Sequence, residues 1–113
     1  MIKKDKRNLL TILESIEKIQ KYIDPFKDHD EFYKDEIRFE ATMMNFVIIG
    51  EMVAKLSETF KTKEDSINWR KLKELRNIVA HEYFGIDVKE VWEIIKSDLS
   101  EIKPILKEIL SKE

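Results

Sequence analysis

The stretch "RNIVAHEY" sets Arg76, His81 and Tyr83 within eight residues of one another. An imidazole titrates near neutrality, so it can take the proton from a ribose 2′-hydroxyl or return one to a leaving 5′-oxygen. A guanidinium neutralises the charge that builds on the phosphorus oxygens. Arginine and histidine together therefore point to phosphodiester cleavage without a metal, on RNA, which supplies its own nucleophile. Asn77 adds hydrogen-bond donors beside Arg76. Tyr83 is a poor base, because a phenol stays protonated at neutral pH. The other histidine, His29, lies in the charge run "KDHDEF" and reads as surface. Each residue of the cluster also has a plain structural role: Arg76 snorkelling past a core, His81 capping a helix end, and Tyr83 burying its ring.

The elements that must hold these side chains are helical. Charged residues are 39% and hydrophobic ones 42% of the 113-residue chain, with two Gly and two Pro, a mixture that suits amphipathic helices and leaves few turns for a sheet. Leu9, Ile12, Leu13, Ile16, Ile19 and Ile23 recur at three and four residues, giving a first helix that ends near Asp24-Pro25. Asp28 with Glu31 forms a capping box, and the apolar period from Phe32 to Phe60 predicts one long helix of roughly eight turns, the longest element. Asn68 caps a helix that starts at about Trp69, with Ile67 stapled to Leu72. Asp87 with Glu90 caps another at about Val88, with Ile86 stapled to Val91. Gly85 lets the chain turn between them. A further cap is expected at Asp98 with Glu101, and Pro104 is expected to kink or restart the last helix. The expected fold is an all-α, up-and-down bundle of about five helices, forming a single domain over residues 1–113.

Composition narrows the classes of function. Cysteine is absent, which removes disulfides, thiolate nucleophiles and cysteine-based metal sites and fits a reducing cytoplasm. No apolar stretch reaches membrane-spanning length and no secretion signal is expected. No metal site or cofactor is expected. The formal net charge is −2, yet "RKLKELR", from Arg70 to Arg76, carries four positive residues and one negative. Arg70, Lys73 and Asn77 share a helix face, making Arg70 and Lys73 candidate contacts for RNA phosphates.

The segment "MMNFVIIGEMVA", from Met43 to Ala54, is apolar on nearly every side of its helix, so more than one face needs cover. One cover is the core, and the expected second cover is another copy of the chain in a symmetric homodimer. The helical wheel supplies a related argument. Arg76 sits about 60° from the centre of the Leu72–Leu75–Val79 stripe, at the edge of the buried face. His81 lies about 140° from Arg76 and roughly 7.5 Å further along the axis, so one regular helix cannot aim both at one phosphate. A composite cleft, with Arg76 from one chain and His81 from its partner, resolves the difficulty.

Arg, four residues, His, one residue, Tyr is similar to the signature of HEPN domains. With "IGEMVAKLSE" and "INWRKLKELRNIVAHEYFGIDVKEVWEII", the region from Ile49 to Ile95 resembles the HepT-type branch of that superfamily. The resemblance implies a homodimeric helical toxin ribonuclease of a type VII-like toxin-antitoxin pair. Its implied partner is an MntA-type minimal nucleotidyltransferase antitoxin. Carried over residue by residue, it implies catalysis by Arg76 and His81 and adenylylation of Tyr83 by the partner, with Asn77 and Glu51 in support. On the wheel Glu51 also aligns with Glu40 and Glu58, which a solvated acidic seam explains equally well. Two other classes stay open: an enzymatically idle HEPN-like module that binds nucleic acid or a nucleotidyltransferase, and a purely structural dimerisation bundle.

Overall fold

The structure, a computed structural model, describes residues 1–112, with the side chain of Glu82 outside the description. Its elements are α1 (Lys3–Ile23), α2 (His29–Lys34), α3 (Glu36–Lys55), α4 (Glu58–Lys63) and α5 (Trp69–Glu82). A 3-10 turn (Tyr83–Gly85) follows, then α6 (Val88–Glu93), a π-helical segment (Ile94–Leu99) and α7 (Ser100–Ser111). The last three run on without a break, so six helical segments make an all-α bundle, without strands among the described residues. The packing order across the bundle is α7, α1, α3, α5, with α2 bridging α3 and α6.

The first helix buries the stripe its spacing predicts: Leu9, Ile12, Ile16, Ile19 and Ile23 are in the core. Against it α3 presents Phe39, Met43, Phe46, Ile49 and Val53. At one end Phe32 is fully enclosed between the rings of Phe26, Phe39 and Trp92, at centroid distances of 6.1, 5.4 and 5.9 Å. Burying four rings together ties α2 to both α3 and α6.

The single helix expected from Phe32 to Phe60 is three, and at 20 residues α3 is shorter than α1 with 21. At the first break Asp35 leaves the helical region and its carboxylate accepts from the Arg38 N–H at 3.0 Å, capping α3. At the second, Leu56 and Ser57 are extended and the Ser57 hydroxyl accepts from the Phe60 N–H at 3.2 Å, capping α4. Ser57 is itself held from α1: its N–H and hydroxyl donate to the buried Asp5 carboxylate at 2.9 and 2.6 Å. That charge-assisted pair satisfies a carboxylate that is 1% exposed, and it stops the helix continuing.

The expected caps at Asp28, Asn68 and Asp87 are present, accepting from the N–H groups of Glu31, of Lys71, and of Lys89 and Glu90. Asp98 caps nothing. The helix passes straight through it, and its carboxylate pairs with Lys71 at 2.9 Å, fastening α5 to the π segment. Pro104 neither kinks nor restarts a helix with a new cap; it lies inside α7. The wider π turn ends just before Ser100, the residue whose carbonyl a proline at 104 leaves unbonded, so the ladder is loosened where relief is needed. Gly85 closes the turn after α5 with a negative φ, so the reversal uses a 3-10 turn and not a left-handed glycine.

Candidate functional site

The site is built on α5, and its Arg76 end is fixed by a close approach to α3. At the helix start the Trp69 indole N–H donates to the Glu64 carbonyl at 2.8 Å, while Leu72 and Leu75 lie in the core. A Cβ placed on Gly50 of α3 would stand 2.6 Å from the Arg76 Cβ, 2.9 Å from its backbone N and 3.0 Å from the Lys73 carbonyl oxygen. Only a residue without a side chain lets the two helices meet at this distance. The next residue, Glu51, therefore reaches Arg76: Oε1 lies 2.6 Å from Nε.

This contact corrects one expectation and bears out another. Glu51 is not part of an acidic seam with Glu58, because α3 ends at Lys55 and Glu58 opens a different helix. Arg76 does sit at the edge of the buried face: its Cβ packs against Gly50 of α3 while its guanidinium reaches water, the side chain 49% accessible and that of Glu51 43%. An ion pair so exposed contributes about 0–1 kcal/mol to stability. Its consequence is orientation. Nε is engaged, and the two terminal nitrogens make no bond among the described residues.

On the same side, Arg70 and Lys73 line a groove of about 320 Å³ floored by Trp69 and Val53. Lys61 of α4 also lines it, only 15% exposed and paired with Glu58 at 3.0 Å. Lys61 was not singled out from the sequence. No local signal marks it: the break at Ser57 makes Glu58–Lys63 a separate helix and sets Lys61 in the groove with Trp69 and Arg70 of α5. Arg70, Lys73 and Arg76 follow one another at three-residue intervals, so the positive charges form a diagonal track along α5.

His81 lies elsewhere. It is exposed in the last turn and shares a hollow of about 340 Å³ with Asn77, Glu74 and Ile78, Asn77 donating to Glu74 at 3.1 Å. A neighbouring hollow of about 420 Å³ is lined by Glu74, Glu90, Glu93 and Asp98 against the single Lys71. Within one chain, then, His81 and Asn77 face an acidic side, Arg70 and Lys73 a basic groove and Arg76 its partner Glu51, and α5 stays a regular helix throughout. The chain does not bring Arg76 and His81 together.

Tyr83 occupies a third place. Its ring leans on Phe39 at 6.4 Å and meets Phe84 edge-on at 5.6 Å. Burial, then the carboxylates of Glu40 and Glu36 and the neighbouring Tyr33, push its phenol above the ordinary tyrosine value of 10.0. Tyr83 follows Arg76 by seven residues, about 10 Å along the axis of α5 and its closing turn.

The outer face of α3 carries Ile37, Ala41, Met44 and Ile48, all within about 40° of one line on the wheel. Ile37 is 83% exposed and Met44 60%. Glu51 falls about 40° from that line, so the Glu51–Arg76 pair borders the exposed apolar stripe.

Residues 12–109 match the family model described as ribonuclease HepT-like. A candidate RNase of Methanocaldococcus jannaschii is 35% identical over 114 residues, covering 96% of this chain and 93% of that protein. The protein named probable ribonuclease HepT of Thermococcus cleftensis is 30% identical, covering 91% of this chain and 93% of that protein. A third relative, from Methanocaldococcus jannaschii, has a name that joins a gamma-glutamylcyclotransferase to a candidate RNase. It is 34% identical over 101 residues, and the match spans only 45% of its length. No solved structure matches the chain.

Proposed function

This chain belongs to the ribonuclease HepT-like family, and from that premise we propose that it is a metal-independent endoribonuclease, the toxin of a two-component pair. The observation that carries the reading is the division of α5: a guanidinium paired with Glu51 and in line with Arg70 and Lys73, and an imidazole exposed in a separate hollow beside Glu74. RNA phosphates favour the basic side, so the histidine that acts there comes from a second copy. Docking two copies on the Ile37–Met44–Ile48 stripe would set the Glu51–Arg76 pairs beside the interface. Such a symmetric contact is self-complementary, and it would cover an apolar face that water otherwise wets.

In that cleft His81 of one protomer takes the 2′-hydroxyl proton, and the 2′-oxygen attacks phosphorus. The bond to the 5′-oxygen breaks, and that oxygen leaves with a proton drawn from water. The products are a 2′,3′-cyclic phosphate and a 5′-hydroxyl. Arg76 of the other protomer neutralises the extra charge on the non-bridging oxygens. Purified protein should cleave RNA at an undiminished rate in EDTA and leave DNA of the same sequence intact. Loss of activity in chelator that magnesium restores, or equal cleavage of DNA, rejects this mechanism.

Silencing is assigned to Tyr83 and a nucleotidyltransferase partner. The phenol oxygen attacks the α-phosphorus of ATP, pyrophosphate leaves, and the phenolic proton must go to a base. A phenol is protonated at neutral pH, and its surroundings raise its pKa further, so the base is assigned to the partner. Tyr83 lies about 10 Å along the helix from Arg76, within reach of a phenol carrying one or more AMP units, so the added phosphates occupy the guanidinium and repel an incoming RNA strand. Co-expression with a cognate nucleotidyltransferase should yield an adenylylated Tyr83 peptide by mass spectrometry and an inactive nuclease. A Tyr83→Phe protein neutralised as well as the parent rules this residue out as the switch.

A further inference from the structure

The hollow next to Tyr83 has no part in RNA cleavage as described above, yet it is an unusual piece of surface. It measures about 490 Å³ and is walled by the rings of Tyr33, Phe39, Tyr83 and Phe84, with Glu36 and Glu40 at its rim. The rings are arranged and not merely near one another: Tyr33 meets Phe39 edge-on at 5.1 Å, Phe39 leans on Tyr83, and Tyr83 meets Phe84 edge-on. Phe84 is 103% exposed and Tyr33 56%, so two of the four rings stand largely in water. An apolar ring held fully in solvent on a short turn is costly to hydration and contributes nothing to the core.

Charge says what fits there. Two carboxylates face one ammonium, Lys34, at the same hollow, which leaves an excess of one negative charge. Burial, and after it both carboxylates, raise the Tyr83 phenol above its ordinary value. Aromatic faces are themselves negative at their centres. Phosphate is repelled by the carboxylates and the ring faces, which outweigh Lys34, so the hollow is no continuation of the RNA track on α5. A cation is attracted by the same groups. Among biological cations the guanidinium fits best, because its plane stacks on rings while its edge forks onto a carboxylate.

We propose that the hollow formed by Tyr33, Phe39, Tyr83 and Phe84 with Glu36 and Glu40 is a docking socket for an arginine side chain carried by a partner protein. The exposed Phe84 on its turn and Tyr33 on α2 form two sides of a clamp around that side chain, and the carboxylates fix its edge. The socket stands on these contacts alone and holds whether or not the chain cleaves RNA. Where Tyr83 is also a modification target, the same side chain seats the modifying protein with the phenol oxygen within its reach.

The test uses the intact protein and two neutral-backbone probes, N-acetylarginine amide and N-acetylcitrulline amide, which share shape and differ in charge. In NMR titrations the arginine probe should shift the ring signals of Tyr33, Phe39, Tyr83 and Phe84 with a saturable dissociation constant on the order of millimolar. Citrulline should give no saturable shift. Glu36→Gln with Glu40→Gln should weaken arginine binding at least about fivefold, and Phe84→Ala, at an exposed position, should weaken it without lowering the melting temperature. Equal binding of citrulline, undiminished binding by the double Gln variant, or binding of AMP in the same hollow overturns the proposal. So does arginine binding that appears only on dilution to monomers, which would make a second copy of this chain the occupant.

Discussion

RNA incubated with the His81→Ala protein stays essentially uncut, the rate falling about 10²–10⁴-fold, the range set by loss of a general base. Folding is unaffected, because His81 is exposed and substitutions at such positions change stability by about 0.5 kcal/mol or less. Arg76→Ala is comparably inactive, since it removes the charge that meets the phosphorus oxygens and leaves Glu51 in its place. Mixing the two inactive proteins is the informative experiment. In a composite cleft, a heterodimer keeps one site with both groups and loses both from the other. Random exchange makes half the dimers heterodimers, so activity returns to about a quarter of the unsubstituted level. If each cleft used its own chain's Arg76 and His81, no heterodimer would hold an intact site and nothing would return. Placing Met44→Glu in both proteins sets charges on the exposed stripe of α3, and should abolish recovery along with the dimer seen by sedimentation. A mixture that dimerises and stays inactive sinks the shared cleft.

How far such a site can be read from sequence depends on the range of the forces that build it. Capping is local chemistry, and Asn68, Asp87 and Asp28 each hold the N–H of a residue two or three positions on, so those helix starts were legible. The α1 stripe was legible because its partners demand only apolar surface at the right spacing. The breaks at Asp35 and Ser57 were not. Neither has a proline or glycine, and the apolar period runs across both without a skip. Ser57 leaves the helix because Asp5, 52 residues away, holds its N–H and hydroxyl. Nothing near residue 57 in the sequence announces that.

The same division runs through the site. The spacing of Arg76 and His81 on a helix predicts that one chain cannot converge them, and α5, regular to Glu82, keeps them apart. What surrounds them was hidden. The Glu51–Arg76 pair joins residues 25 positions apart on two helices, and the acidic wall beside His81 comes partly from α6 and the π segment. All-round apolar character in "MMNFVIIGEMVA" indicated two covered faces but not which face stays open; Met44 and Ile37 mark it.

Gly50 is the position where fold and site meet, and Gly50→Ala should damage both. An alanine in a helix interior is favoured over glycine by about 0.5–1 kcal/mol, so on propensity alone the substitution stabilises. Against this, the new methyl would stand 2.6 Å from the Arg76 Cβ, 2.9 Å from its backbone N and 3.0 Å from the Lys73 carbonyl oxygen. None of those atoms can rotate away, so α5 itself must move outward. Overpacking of this kind costs about 1–3 kcal/mol, which outweighs the propensity gain. The melting temperature should drop by several degrees, at roughly 4–8 °C per kcal/mol for a domain of about 100 residues. Movement of α5 also lengthens the 2.6 Å Glu51–Arg76 contact, so RNA cleavage should fall at least about tenfold even well below the melting temperature. Glu51→Gln separates the two effects: it keeps the close helix packing and the melting temperature, weakens the hold on Arg76, and lowers cleavage alone. A Gly50→Ala protein as stable as its parent would show that helix propensity wins and that α3 and α5 do not need this approach to set Arg76.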